Sequence, residues 1–300
     1  MASRGIKALW QTAFFNRDAV CTLCPHYCHL SPGDYGKCGV RQNIDGVIYA
    51  INYSKVTSLS IDPIEKKPLY RFQSGTDTLS IGSIGCNLKC KFCQNFEISQ
   101  RNAETFDMSP EEVIAEAIKL NLKTIAFTYN EPVIWYEFVL DTAKLAKDAG
   151  LFVVLNTNGY INARPLKVLL HYIDAVNIDI KSWYNGFYKD LCEATVKPVL
   201  KSAIIANEMC HVEISCLIIE KEYDLDDDFK ILATWIKDNL GVNTPVHLAA
   251  YRPAYKMTNE PTSIETIIRA RNIFSKELDS VYYSMIQQRG ENETEKEIRI

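Results

Sequence analysis

The sequence predicts an α/β fold, a partial TIM barrel of six βα units, (β/α)6, behind a small N-terminal cysteine-rich module. Three observations predict it. From Leu79 onward, short apolar runs alternate with longer amphipathic stretches, the pattern of strands and helices wound about a parallel sheet. Cys21, Cys24, Cys28 and Cys38 crowd into a stretch rich in Pro, Gly and His that is too small to own a hydrophobic core, so a metal staple is expected there. A second group, Cys86-x3-Cys90-x2-Cys93, directly follows the first apolar run, at the end of a barrel strand where ligands gather.

The strand candidates, in order, are Leu79–Ile84, Thr124–Tyr129, Phe152–Asn156, Ala175–Ile180, Val212–Ile219 and Val246–Ala250, with Val281–Ser284 as a terminal extra. Helices fall between them. Ser109-Pro110-Glu111-Glu112 reads as a capping box with proline at the first helical position, and Gly150 stops the helix that begins near Val133. Residues 1–45 are expected to form the metal module and 46–78 a connector, with a hairpin read over Asp45–Leu59. The barrel follows over 79–285, and 286–300 forms a charged tail expected to fray.

Composition narrows the function. Thirty-seven acidic and 33 basic residues leave a net charge of −4, which offers no general attraction to nucleic acid or anionic membranes. No apolar run reaches 18 residues, and Met1–Thr12 lacks a signal-peptide pattern, so a cytoplasmic protein is expected. Ten cysteines are many for a reducing compartment, and seven of them fall in the two clusters. Such clustering points to metal more than to disulfides. Cys192, Cys210 and Cys216 have no ligand spacing and read as packing residues.

Three thiolates hold only three irons of a 4Fe–4S cube, so Cys86, Cys90 and Cys93 would leave one iron open for chemistry. The spacing alone also fits a zinc knuckle or three unrelated thiols. Polar groups cluster after later strands: Asn130 and Glu131 before Pro132, Asn158 before Gly159, and Asp179 with Lys181 on the face shared by Asn177. Glu213, Glu220, His247, Tyr251 and Arg252 also lie on or just after strands, where they could reach a ligand, although a lone His such as His247 is more often a hydrogen-bonded structural residue than a general base. Cys21, Cys24, Cys28 and Cys38 supply four thiolates, enough for a closed zinc site or a second iron–sulfur cluster, with His26 and His29 as substitutes.

These residues resemble the radical S-adenosylmethionine (SAM) enzymes, and in particular the radical SAM member of the AmmeMemoRadiSam system, a relative of pyruvate formate-lyase activating enzymes. The resemblance runs over Cys21–Phe274 and rests on Cys24-Pro25-His26-Tyr27-Cys28, Gly36–Arg41, Asp62–Tyr70, Gly85–Asn95, Thr128–Pro132, Asn158-Gly159-Tyr160, Asp179-Ile180-Lys181 and Pro253–Met257. It implies a partial barrel of the radical SAM type in which Cys86, Cys90 and Cys93 hold a 4Fe–4S cluster and SAM chelates the open iron. It further implies SAM cleavage to a 5'-deoxyadenosyl radical that abstracts hydrogen from a substrate it does not identify. Phe92, Gln94, Asn130, Glu131, Asn158, Asp179, Lys181 and Arg252 would bind the cofactor, with no catalytic acid or base required. A low-potential electron donor, flavodoxin or ferredoxin, and Memo-like proteins would be partners. Arg71 and Arg252 stand where relatives have histidine, and no Cys-Pro-x-Cys segment follows Cys216, so a C-terminal metal knuckle is expected to be missing. Two other readings stand beside this one: an activase that plants a glycyl radical on a partner protein, and a non-catalytic binding protein stapled by zinc.

Overall fold

A computed structural model describes residues 5–284; the charged tail expected at 286–300 lies outside them. Its centre is one eight-stranded sheet. The strands are β1 (Ser58–Pro63), β2 (Asp77–Gly82), β3 (Thr124–Phe127), β4 (Phe152–Thr157), β5 (Ala175–Asp179), β6 (His211–Ile218), β7 (Val246–Ala250) and β8 (Val281–Ser284). They lie in sequence order, and every neighbour pair is parallel except β1 against β2. All six expected βα strands are present, and the terminal extra Val281–Ser284 pairs parallel with β7. Among the described residues no helix is long and apolar enough to cross a membrane.

Helices α1 (Pro110–Lys119), α2 (Tyr136–Asp148), α3 (Ala163–Leu170), α4 (Asn185–Cys192), α5 (Val196–Asn207), α6 (Asp226–Leu240) and α7 (Ile264–Phe274) connect the strands. The capping box at α1 is complete: Ser109 Oγ accepts from Glu112 N at 3.2 Å, and Glu112 Oε2 accepts from Ser109 N at 2.6 Å. Strand alternation sends Ile125, Phe127, Val153, Leu155, Val176, Ile178 and Ile214 into the core shared with the helices. The other face carries smaller residues. There Ala126, Val154 and Ala175 pack on Ile64, Leu69 and Phe72, so the chain between β1 and β2 fills the barrel lumen.

That plug is latched by a buried acid. Glu213, on β6, accepts from the backbone N–H groups of Tyr70 (3.0 Å) and Arg71 (2.7 Å) and from His211 Nε2 (2.9 Å) and His247 Nε2 (2.6 Å). Asn177 Nδ2 donates to Pro68 O at 2.8 Å, and Arg71 Nε donates to Tyr282 OH at 2.7 Å. Glu213, which could have reached a ligand, is instead spent on this latch, and His247 makes a structural hydrogen bond, as a lone histidine more often does. Both sit near the N-terminal ends of their strands, opposite the end at which barrel sites form. Glu220 and Tyr251 are likewise spent on structure: Glu220 accepts from Ser263 N at 2.9 Å, and Tyr251 OH donates to Met257 O at 3.0 Å.

The hairpin differs from expectation. It joins Arg41–Ile44 to Val47–Ala50, with Asp45 and Gly46 as its tip rather than its start. Both tip residues have positive φ, 55° and 91°, as a tight two-residue hairpin turn requires. Arg41 leaves this hairpin to meet Glu137 on α2 through two bonds of 2.9 and 2.6 Å, in full burial. Glu137 also accepts from Leu9 N at 2.9 Å, which fixes the N-terminal strands against the barrel. Removing one partner of such a pair costs about 3–5 kcal/mol.

The latch gives a prediction. Burial raises the Glu213 pKa, but the bonds from His211 and His247 outweigh it and hold the group at about 2. A depressed acid contributes stability above its unfolded pKa and loses it as pH falls through the folded value. Glu213→Gln is therefore expected to cost about 2–3 kcal/mol at pH 7. Urea unfolding at several pH values should show the parent losing this advantage from near the ordinary carboxylate pKa downward, while the variant stays flatter.

Candidate metal and cofactor site

The chain leaves β2 at Gly82 and turns across the C-terminal mouth of the barrel as the loop carrying Cys86, Cys90 and Cys93. Asn130 grips its start. Asn130 Oδ1 accepts from Ser83 N at 2.9 Å, and its Nδ2 donates to Ile84 O and Gly85 O, each at 3.1 Å. The turn that aims Asn130 is tight: Asn130 N donates to Thr128 O at 2.9 Å across Tyr129, whose φ of 70° is costly for a side chain that is not glycine. Asn95, just beyond Cys93, closes the circuit by donating to Tyr129 O at 2.7 Å.

Asn158 holds the middle. Its Nδ2 donates to Asn87 Oδ1 at 3.0 Å and to Cys86 Sγ at 3.6 Å, while its Oδ1 accepts from Tyr160 N at 2.8 Å. Asn87 Nδ2 donates in turn to Tyr160 O at 2.7 Å. Glu131 supports this from below, accepting from Val133 N (3.0 Å), Thr157 Oγ1 (2.5 Å) and Asn158 N (2.8 Å). Burial pushes its pKa up to about 7 against the pull of those three bonds. The Glu131 carboxylate is thus bonded by three groups of the protein itself, one of them Asn158 N.

The far end of the loop lies on α4. Lys89 N and Lys91 N donate to Cys192 O and Leu191 O, both at 2.9 Å, and the Cys90 thiol meets that of Cys192. Cys192, read as packing, is fully buried, and no sequence spacing marked its place beside Cys90. Asp179 and Lys181 pair at 3.1 Å, and the ammonium stands 5.9 Å from the Phe92 ring centre. Phe92 is itself buried against Phe187, Gln94 is exposed, and Arg252 is half-buried after β7. Cys93 Sγ lies 3.1 Å from Ser99 Oγ. The structure therefore brings Cys86, Cys90, Cys93, Asn130, Asn158 and Lys181 around one loop and leaves Gln94 at its outer edge.

The N-terminal module abuts the same loop. Gly85 has φ of 85°, and a Cβ there would stand 2.6 Å from Cys38 O, so only glycine lets the two cysteine groups approach this closely. His26 Nε2 bonds Asn87 O at 2.7 Å. Cys21, Cys24, Cys28 and Cys38 are near enough for their charges to act on one another, and Lys37 N points at Cys28 Sγ at 3.4 Å.

The donor chemistry fits thiolate-held clusters. Burial drives the thiols of Cys86 well above the ordinary range, Cys24 up to about 12 and Cys38 up to about 11. Thiolates so deeply desolvated need a bound cation, and N–H groups aimed at sulfur, such as Leu88 N on Cys86 Sγ at 3.4 Å, are what tune such centres. Among the described residues no three His, Cys, Asp or Glu side chains converge on a point that would grip one ion. A cube asks for less convergence, because each thiolate takes a different iron.

Comparison with known proteins agrees with this geometry. The family model described as the radical SAM superfamily matches residues 80–236, just over half the chain. An uncharacterized protein of Methanocaldococcus jannaschii is 43% identical over 279 residues, 91% of this chain and 83% of its own. A putative glycyl-radical enzyme activating enzyme of the same organism is 26% identical, over 70% of this chain and 82% of its own. A radical SAM methyltransferase from Sphaerobacter thermophilus has a similar fold, with a TM-score of 0.56 at 16% identity over 73% of this chain and 68% of that one. A cysteine loop at the open mouth of a partial barrel, with a matching family model, leads to one conclusion: the chain belongs to the radical SAM superfamily, enzymes that use a 4Fe–4S cluster and SAM.

Proposed function

We propose that Cys86, Cys90 and Cys93 hold the 4Fe–4S cluster and that the polar wall made by Asn130, Asn158, Asp179 and Lys181 positions SAM beside it. The observation that carries this is the clamping of the cysteine loop at the strand ends by Asn130 on one side and Asn158 with Asn87 on the other. When bound, the cluster and SAM together supply a 5'-deoxyadenosyl radical, and the protein supplies orientation and shelter. Asn130 holds the backbone before Cys86. Asn158 presents its amide to Cys86 Sγ, with Glu131 as the positioning residue beneath it. Phe92, Phe187 and Tyr160 are buried around the loop and exclude water from it. Of the remaining cofactor assignments, the exposed Gln94 belongs to the outer edge of the loop, and Arg252 is the half-buried residue that follows β7.

The substrate reading is hydrogen abstraction from a molecule still to be identified, in the manner of the AmmeMemoRadiSam radical SAM proteins and with a Memo-like protein as partner. The segments Asp62–Tyr70 and Pro253–Met257 support that placement. Similarity to a putative glycyl-radical enzyme activating enzyme favours a second reading, an activase acting on a partner protein. The four module cysteines would form a second metal site against the first; of zinc and iron–sulfur, the cluster suits them better, because among the described residues no three of these thiols converge on a single point.

Two measurements check this. Anaerobically reconstituted protein given SAM and dithionite should make 5'-deoxyadenosine, and the Cys86→Ala/Cys90→Ala/Cys93→Ala variant should make none. A parent with verified cluster that makes no more than the variant would sink the assignment. Asn158→Ala should lower iron retained per chain or the rate of SAM cleavage about tenfold, as loss of a ligand-orienting partner does, with the circular dichroism spectrum unchanged. Parent-like values for both would remove Asn158 from the site.

A further inference from the structure

The chain is acidic overall, yet the outer side of the cysteine loop is basic. Along that loop Cys90 and Phe92 are buried and Lys91 is exposed, while the half-buried Lys89 turns its ammonium to Cys86 O at 3.4 Å. Two further segments add to the same patch. Lys256 N donates to Lys91 O at 2.9 Å, which sets the loop after β7 beside the cysteine loop. Lys37, from the N-terminal module, reaches across to Glu193 at 3.0 Å. The charges of Lys37, Lys89 and Lys256 all act on that one carboxylate. Four lysines from three parts of the chain thus lie together, Lys91 and Lys256 exposed and Lys37 and Lys89 half-buried, and Lys89, Lys91 and Lys256 have no salt bridge among the described residues. An aromatic shelf adjoins them: Tyr255 stacks on Phe96 at 4.9 Å, and Lys256 stands 5.0 Å from the Tyr255 ring centre.

Self-repulsion among unpaired cations brings no stability, so the cluster asks for a partner. Its position says which. Lys89 and Lys91 flank Cys90, and Lys37 precedes Cys38, so the patch is built from residues adjoining both cysteine groups. We infer that the face formed by Lys37, Lys89, Lys91 and Lys256 is the docking surface for an acidic one-electron carrier protein of the flavodoxin or ferredoxin class. This rests on the cluster assignment proposed above. In each encounter the carrier would give up one electron to the iron–sulfur cluster that Cys86, Cys90 and Cys93 would hold; no atoms would be exchanged, and cleavage of SAM would consume the electron. Complementary charge speeds such encounters by about 10- to 1,000-fold and fades with salt.

The test compares the parent with Lys91→Glu/Lys256→Glu and with Lys91→Gln/Lys256→Gln, after matching iron content. SAM cleavage is driven either by dithionite, which needs no docking, or by limiting reduced flavodoxin or ferredoxin. Binding of each oxidised carrier is measured separately by calorimetry at low and high salt. Dithionite-driven rates should be equal. The carrier-driven rate and carrier affinity should fall about tenfold or more in the Glu pair and less in the Gln pair, and those of the parent should fall with salt. Failure of the parent to cleave SAM with dithionite, beside salt-sensitive carrier binding lost in the Glu pair, would sink the cluster assignment and leave the docking surface standing. Carrier binding that is undetectable in the parent, or equal in parent and Glu pair, would overturn the docking surface, whatever other protein the variants failed to bind.

Discussion

Much of the barrel mouth hangs on the buried carboxylate of Glu131. Its two oxygens accept three bonds that tie the start of the helical turn after β3 to the end of β4. Asn158, held by one of those bonds, is the residue that reaches Cys86 and Asn87. The neighbouring Asn130 grips the same loop from the other side. Two adjacent side chains therefore set where the cysteine loop begins and what its first thiol faces. The arrangement carries a cost, visible in the strained backbone of Tyr129 and in the raised pKa of Glu131. Local strain of this kind persists where surrounding contacts over-determine it.

The two ends of the barrel are built to opposite purposes. At the N-terminal end the segment from Ile64 to Phe72 enters the lumen and is locked there by Glu213, two histidines and Asn177. At the C-terminal end the lumen face carries small or polar groups such as Gly82, Thr128 and Ser215, and the cysteine loop arches over it. The N-terminal module belongs to this second end. The Arg41–Glu137 pair fixes it to α2, and Gly85 admits Cys38 to the side of Cys86. Metal chemistry in the module and at the loop would thus share one wall.

The strands, the α1 capping box, the cysteine loop and the segments after β3, β4 and β5 were legible because each is set by local pattern. Alternation and spacing are short-range signals. What escaped depends on partners distant in the chain. β1 reads as a connector because its lumen face, Ser58, Ser60 and Asp62, is polar and its apolar residues Leu59 and Ile61 are not buried; only pairing with β2 makes it a strand. Glu213 looks like a ligand group from composition, yet its position within the strand sends it to the plugged end. Cys192 carries no motif, and its place beside Cys90 comes from the docking of the loop on α4. Glu131 was legible as a residue of the mouth, but its bonds to Thr157 and Asn158, distant in the chain, were not.

The central claim is that three thiolates leave one iron free to take SAM. Electron paramagnetic resonance of the anaerobically reconstituted, reduced protein, recorded with and without saturating SAM, tests it most directly. The account predicts a reduced-cluster signal that changes shape when SAM is added, because SAM would bind the iron that Cys86, Cys90 and Cys93 leave open. It also predicts that the change persists in protein whose module cysteines 21, 24, 28 and 38 are replaced, provided the loop cluster still assembles. A reduced-cluster signal that is identical with and without SAM would contradict it.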